Sequence, residues 1–228
     1  MSQPETNSSH PFPADGWPMP VAQMHAGRFI TLTPLNLDTD VEDLFRGSHE
    51  PGSIEAMWGL IAAGPFADAA AMREWLRAQQ ALPDMIPFTV SDNATGRRIG
   101  SISFMRINPA HGVAELGFIW YEPSAQRTKA NTEANYLLLK HCFAELGYRR
   151  MEWKCNTGNA RSRAAALRLG YSFEGIFRQH MIVKGRNRDT AWFAMLDHEW
   201  PRIAAAMENW LYVDASQPLA AKSNEMPP

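Results

Sequence analysis

The spacing of apolar residues changes along the chain, and these changes mark strands and helices. Residues 28–35 (RFITLTPL) alternate and are rich in β-branched side chains, which predicts a first strand. Residues 68–82 place Met72, Trp75 and Leu76 on one face at helical spacing, which predicts an amphipathic helix. The same criteria predict a short helix after Asp38, strands at 86–91, 98–107, 113–121, 149–155, 171–184 and 188–196, and helices at 132–146, 162–169 and 199–211.

Turns join three of these strands into consecutive hairpins. Residues 92–96 (DNATG) and 108–112 (NPAHG) carry the Asp, Asn, Pro and Gly residues typical of tight turns. A loop at 122–131 and a helix follow, and the whole order is β, α, α, β, β, β, α, β, α, β, β, α. This order predicts an α+β fold with a mixed, mostly antiparallel sheet of about seven strands flanked by helices. It argues against a doubly wound sheet.

Polar ends rich in Pro, Ser and Asn enclose one expected domain. Residues 1–22 predict a flexible lead-in and residues 214–228 a flexible tail. The 228 residues of the chain suffice for one full-sized domain with a sizeable core. We therefore expect residues 23–213 to form a single domain.

Composition narrows the classes of function. The net charge of −2 provides no overall attraction to nucleic acid or to an anionic membrane, so we expect neither as a partner. The start of the sequence lacks the basic and apolar segments of a signal peptide. Cys142 and Cys155 form no CxxC pair, which favours the reducing cytoplasm. The histidines lack metal-ligand spacing, so we predict no metal site.

The loop that enters the helix after the hairpins is the first candidate site. A helix start presents unpaired backbone N–H groups and the positive end of the helix dipole, which suit a phosphate or pyrophosphate. Arg127 and Lys129 add two cations beside it. The alternative is a solvated basic turn that caps a helix.

Two sequence segments resemble a known family. Residues 115–120 (ELGFIW) and 126–134 (QRTKANTEA) are similar to the acetyl-CoA-binding segment of GNAT acetyltransferases. Residues 159–162 (NARS) and 169–175 (LGYSFEG) resemble a later segment of the branch that acetylates the N-termini of ribosomal proteins. The resemblance covers roughly residues 28–200. It implies a sheet that splays after its fourth strand and an acetyl-CoA-dependent N-acetyltransferase that acts on a primary amine of a protein N-terminus or a small molecule. It also implies a homodimer.

The resemblance also implies roles for individual residues. The strand 115–120 is expected to contact the pantetheine arm and the loop 126–131 to hold the pyrophosphate, with Asn159 beside the cofactor. Ser162 is expected near the departing sulfur as the acid, and a helix-terminal hydrogen bond is its alternative role. The expected cofactor-binding residues are Gly117, Phe118, Ile119, Gln126, Arg127, Thr128, Lys129, Ala130, Asn131, Thr132 and Asn159.

The loop departs from the family pattern at two positions. Lys129 and Asn131 stand where the family usually has small residues that let the backbone approach phosphate closely. Three outcomes are open: Lys129 turns outward and pairs with a CoA phosphate, the loop shifts and still binds CoA, or the site is weakened. The last outcome would make the chain a catalytically degenerate CoA-binding scaffold.

The base for the amine is open as well. Met181 occupies the position where the related branch has a carboxylate. Glu115, on the strand that faces the substrate, and His180 are two substitutes, and a chain of water molecules is a third. On a regular strand His180 points to the face opposite Met181, so it qualifies only if a bulge intervenes. The basic residues of the last hairpin, Lys184, Arg186 and Arg188, predict a solvated tip, with recognition of an acidic acceptor as the alternative.

Overall fold

One mixed sheet of eight strands organises the fold. The computed structural model describes residues 12–52, 54–216 and 219. The strands lie in the order β1-β2-β3-β4-β5-β6-β8-β7. They are β1 (His25–Ala26), β2 (Ile30–Pro34), β3 (Ile86–Asp92), β4 (Arg98–Asn108), β5 (Val113–Tyr121), β6 (Arg150–Asn156), β7 (Ser172–Val183) and β8 (Arg186–Leu196). The helices are α1 (Val41–Ser48), α2 (Ile54–Trp58), α3 (Ala69–Gln80), α4 (Lys129–Lys140), α5 (Ala160–Arg168) and α6 (Trp200–Tyr212).

The predicted fold class is confirmed, with local differences. β1 adds an eighth strand of two residues, and α2 is a short helix that the pattern did not indicate. α4 begins at Lys129 rather than at residue 132, because the Thr128 side chain caps it by accepting a hydrogen bond from the Ala130 N–H. A single π-helical turn, His141–Glu145, follows α4.

Two apolar clusters flank the sheet. The larger contains the inward side chains of the strands with those of α4 and α6. The smaller packs α1, α2 and α3 around the fully buried Trp58 and Met72, and Trp120 of β5 reaches into it. Because side chains of α2 and Trp120 of β5 belong to the same cluster, the cluster holds α2 next to β5.

Glu133 joins α4 to the edge of the sheet. Its buried carboxylate accepts hydrogen bonds from the backbone N–H groups of Arg28, Phe29 and Ile30 at 2.7–2.8 Å. The Tyr212 hydroxyl at the end of α6 donates a fourth at 2.9 Å. These bonds fix the N-terminal half of α4 against β2 and α6.

Two side chains outside residues 23–213 pack against the rest of the described chain. Trp17, in the predicted lead-in, donates its indole N–H to the Gly147 carbonyl at 2.5 Å and packs against the larger cluster. Leu219, in the predicted tail, is buried. Residues 1–11 of the lead-in and residues 217, 218 and 220–228 of the tail lie outside the described residues. In the described part of the chain, no helix is long and apolar enough to cross a membrane.

The sheet opens between β5 and β6. These strands are parallel and pair only from Val113–Glu115 to Arg150–Glu152. Beyond Glu115 they diverge, while β6 continues to pair with β8 as far as Asn156. A bulge at Phe118, whose φ is +47°, bends β5 at the same level.

Candidate active site

A cavity of about 1010 Å³ occupies the gap between β5 and β6. Its walls come from the diverging strands, from β4, β7 and β8, and from α2, α5 and the start of α4. The volume lies at the upper end of the range for small-molecule and cofactor sites. Because β5 has no strand partner on this side beyond Glu115, its backbone groups there are available to an extended ligand.

Most of the residues singled out from the sequence line this cavity. The side chains of Lys129, Ala130 and Thr132 do not, and Ala130 and Thr132 are buried in α4. Those that line it are Glu115, Gly117, Phe118, Ile119, Gln126, Arg127, Thr128, Asn131, Asn159 and Ser162.

The start of α4 forms one end of the cavity. Arg127 adopts a left-handed backbone conformation, with φ of +62°, immediately before the helix. The N–H groups of the first turn lack partners within the helix. Among the described residues, Thr128 caps that of Ala130 at 3.3 Å and no side chain caps the others. The Asn131 side chain accepts a hydrogen bond from Asn135 at 3.1 Å, which ties it back to the helix. The loop thus keeps a favourable site for an anion without the family's small residues.

Lys129 points away from this end of the cavity. Its Nζ donates to the Leu211 carbonyl at 2.5 Å and lies 4.7 Å from the Phe29 ring centroid and 5.7 Å from that of Trp210. The ammonium therefore stabilises the C-terminus of α6, where carbonyl groups lack helical partners. The Lys129 side chain is thus directed to α6 and not to the place expected for a CoA phosphate.

Arg168 supplies a cation here that the sequence analysis missed. Its guanidinium donates to the Thr132 hydroxyl at 3.0 Å and lies 5.9 Å from the Trp210 ring centroid. Arg168 and Trp210 both line the cavity. The sequence around Arg168, in the last turn of a predicted helix, gave no sign that this residue lies at the site. Only the fold brings α5 beside the start of α4.

Ser162 directs its hydroxyl toward the cavity wall. The Ser162 N–H donates to Asn159 Oδ1 at 3.0 Å, so Asn159 caps α5. The Ser162 Oγ accepts a hydrogen bond from the Trp153 indole at 2.9 Å. Burial raises the pKa of the Cys155 thiol, and a hydrogen bond with Ser162 partly opposes that rise. The hydroxyl is therefore not used for helix capping.

Glu115 is the centre of a chain of ion pairs. Its buried carboxylate contacts Arg106 Nη1 at 2.6 Å and Lys154 Nζ at 3.0 Å. Lys154 also contacts Glu152 at 2.7 Å, and Glu152 accepts from Arg150 at 2.8 Å. Burial alone would raise the pKa of Glu152, but these two cations outweigh it and lower the pKa. Both described cations of this chain that contact Glu115 therefore occupy its carboxylate, which gives Glu115 a structural role in the cavity wall.

A bulge brings His180 and Met181 to the same cavity. Phe177 pairs with Thr190 and Met181 with Arg188, so four steps along β7 match two along β8. Both His180 and Met181 line the cavity, and the His180 ring contacts the Thr190 hydroxyl through Nδ1 at 3.0 Å. Because this bulge turns His180 to the same side as Met181, His180 is a candidate base.

Comparison with known proteins agrees with this geometry. Residues 30–172 match the acetyltransferase (GNAT) domain family, which is more than half of the chain. The chain belongs to the GNAT acetyltransferase family.

Similar proteins fall within the same family. A GCN5-related N-acetyltransferase from Brucella melitensis is 42% identical with a TM-score of 0.84, over 89% of this chain and 93% of that one. A probable GNAT-family acetyltransferase from Chromobacterium violaceum ATCC 12472 is 38% identical with a TM-score of 0.78, over 87% and 100%. The ribosomal-protein-serine acetyltransferase of Escherichia coli (strain K12) is 34% identical over 99 residues, 43% of this chain and 54% of that protein. The chain thus spans about half the length of that curated relative.

Two cations fasten α2 over the GNAT cavity. Lys184, on the last hairpin, donates to the Trp58 carbonyl at 2.7 Å, and Arg161 at the start of α5 donates to the Ala56 carbonyl at 3.2 Å. Burial lowers the pKa of Lys184, and the charge of Glu55 only partly opposes this. Lys184 is exposed, as the prediction of a solvated hairpin tip requires, but its Nζ is also bonded to α2. Arg188 lines the cavity, while Arg186 is exposed and does not.

Proposed function

We propose that this GNAT protein transfers an acetyl group from acetyl-CoA to a primary amine of a protein N-terminus or a small molecule. The observation that carries the proposal is the gap between β5 and β6, which runs from the buried centre of the sheet to the start of α4. An extended arm fits along the unpaired edge of β5, and an anionic group fits at the helix start. Acetyl-CoA has both parts, and it supplies an activated acyl group as a thioester.

Several residues of this chain are suited to hold acetyl-CoA. The bulged segment Gly117, Phe118 and Ile119 lies along the expected path of the pantetheine arm. Arg127 and Arg168 lie by the unpaired N–H groups of α4, where two cations favour phosphate. The aromatic face of Trp210 closes the same end. Arg168 thus takes the part that the sequence suggested for Lys129.

We assign three roles in the transfer. His180 accepts the proton of the incoming ammonium, because it faces the cavity and an imidazole nitrogen can accept a proton. The neutral amine then attacks the carbonyl carbon, and a backbone N–H on the splayed part of β5 stabilises the oxyanion. Ser162 Oγ–H donates its proton to the sulfur as the carbon–sulfur bond breaks, and Ser162 regains a proton from the nitrogen of the new amide. Glu115 holds Arg106 and Lys154 in place as an ion-paired carboxylate.

The name of one relative bears on the class of amine that accepts the acetyl group. The E. coli relative is named for acting on a serine of a ribosomal protein, which supports the α-amine of a protein as one acceptor class. A ribosomal acceptor would place the reaction in the cytoplasm. A degenerate CoA-binding scaffold is less well supported, because Lys129 bonds to α6 instead of obstructing the loop.

Thiol release with acetyl-CoA and a panel of amines tests the proposal. The panel holds free amino acids, amino amides, polyamines and short peptides with free N-termini. We expect acetyl-CoA-dependent release of CoA with at least one amine and an acetylated product by mass spectrometry. Tight binding of acetyl-CoA with no turnover on any amine would instead support the degenerate scaffold.

A further inference from the structure

Arg188 is a half-buried cation in the acceptor half of the cavity. No described residue accepts a hydrogen bond from its buried Nε, and no described carboxylate forms an ion pair with it. Burial lowers the pKa of the Arg188 guanidinium, and nearby Cys155 and Glu115 offset only part of that effect. Arginine side chains are seldom buried without an anionic or hydrogen-bonding partner, because desolvation of the charge is costly.

The cavity itself does not supply the missing counter-charge. Among the residues that line it, Glu115 is the one carboxylate, and Arg106 and Lys154 already share it. The lining cations are Arg106, Arg127, Lys154, Arg161, Arg168 and Arg188. The cavity is thus strongly positive in a chain whose net charge is −2.

The positive side chains that line the cavity lie at two different ends of it. Arg127 and Arg168 lie by the start of α4, where we place the phosphates of CoA. Arg188 lies elsewhere. It pairs with Met181 of the neighbouring strand β7, and the titratable groups that affect it are Cys155, Glu115 and Arg106. Cys155 in turn contacts Ser162, beside which the thioester is expected. An anion on Arg188 therefore belongs to the acceptor amine.

We infer that Arg188 recognises a carboxylate of the acceptor, so that the preferred substrates are amines carrying a carboxylate close to the reacting nitrogen. This inference rests on the proposed function. The planar guanidinium matches a carboxylate through two parallel hydrogen bonds, and it orients the amine as well as binding it. A free amino acid offers its α-carboxylate, and a peptide offers an acidic side chain near its N-terminus.

Paired acceptors and paired variants test the inference. Each free amino acid is compared with its amide, and each peptide with Asp at the second position is compared with the same peptide carrying Asn. The variant is Arg188→Gln, and its matched control is Arg186→Gln, two residues away on the same strand and outside the cavity. Arg188→Lys keeps the charge without the planar fork, in case Arg188→Gln fails to fold.

For one of the two pairs, we expect wild-type protein to favour the carboxylate acceptor by roughly 10- to 100-fold in kcat/KM, the range of a charge-assisted contact. Arg188→Gln should abolish that preference, so that the carboxylate acceptor and the neutral acceptor of the pair have similar kcat/KM values. Arg188→Lys should reduce it, and Arg186→Gln should retain it. Which pair responds identifies the source of the carboxylate. Equal rates within both pairs in the wild-type protein, or a preference that survives Arg188→Gln, would refute the inference while leaving the acetyltransferase proposal intact.

A binding measurement separates the two proposals if no amine is acetylated. N-acetylated amino acids and their amides are titrated calorimetrically into the protein saturated with CoA. Tighter binding of the carboxylate form that Arg188→Gln removes would support the role of Arg188, although the proposed reaction would have failed. Equal binding of both forms would refute that role.

Discussion

The indole N–H of Trp153 donates a hydrogen bond to the Ser162 hydroxyl oxygen across 2.9 Å. Trp153 lies on β6 and Ser162 in the first turn of α5, so the bond joins two walls of the cavity. Since the oxygen accepts from Trp153, the hydroxyl hydrogen points elsewhere, and Cys155 is the sulfur that now hydrogen-bonds with Ser162. This geometry prepares Ser162 to donate to a departing sulfur.

The first prediction concerns Ser162. We expect Ser162→Ala to lower kcat by roughly 10²-fold or more, because a positioned proton donor contributes on that order. The KM for acetyl-CoA should change little. Trp153→Phe keeps an aromatic side chain without the indole N–H and should lower kcat less, since it leaves the Ser162 hydroxyl in place and removes only the bond that orients it. Steady-state kinetics with both variants checks this, and an unchanged kcat in Ser162→Ala would eliminate the assigned role.

The second prediction separates two cations at the start of α4. Arg168→Met should weaken acetyl-CoA binding by roughly 10- to 100-fold, because it removes a charge beside the expected phosphates. Lys129→Met should leave the Kd within about threefold, because Lys129 contacts α6 and its charge is directed away from the cavity. It should instead lower the melting temperature. Calorimetric titration and thermal melts measure both effects, and a larger loss of affinity in Lys129→Met would reverse the assignment.

The third prediction concerns the base. We expect His180→Gln to lower kcat/KM by roughly 10²-fold, because it removes the group that accepts the proton of the amine. Glu115→Gln should lower kcat/KM less, since it disturbs Arg106 and Lys154 without removing the base. Steady-state kinetics with both variants checks this, and a larger loss in Glu115→Gln than in His180→Gln would assign the base to Glu115.

Local patterns predicted most of the sheet. The hairpins β3–β4 and β4–β5 and the helix α3 lie close to their predicted positions, because alternation, turn residues and caps are local signals. β1 and α2 were missed because two and five residues are too few to show a period. The cap at Thr128 was available in the sequence, but the expected loop obscured it.

The candidate site was less predictable, because its key contacts join distant parts of the chain. Ser162 and the bulged part of β5, to which the resemblance assigns roles, line the cavity. Lys129 does not line it, and the sequence could not show this, because its partners Phe29 and Leu211 are remote along the chain. The extra residues in β7 that turn His180 inward leave no periodic signature in a strand of mixed residues. Only the register against β8 reveals them.

The last prediction concerns acid stability and Asp40. This buried carboxylate accepts hydrogen bonds from Arg98 at 2.6 Å, Thr89 at 2.8 Å and the Asn36 N–H at 3.0 Å. Burial alone would raise the pKa of Asp40, but these bonds and one from Thr39 outweigh it, and the pKa lies below its ordinary value. A carboxyl whose pKa is lower in the folded state stabilises the fold fully above its unfolded value, about 3.9, and loses this contribution as the pH falls through the folded value.

We therefore expect the free energy of unfolding of the wild-type protein to fall as the pH is lowered from about 5 to 3. Asp40→Asn should cost roughly 2–4 kcal/mol at pH 7, because Arg98 loses its charged partner, and should flatten the pH dependence. Asp38→Asn is the matched control, since the Asp38 side chain is 94% exposed and should behave like the wild type. Urea denaturation across this pH range measures all three proteins. An equally steep pH dependence in Asp40→Asn would show that other carboxylates determine acid unfolding.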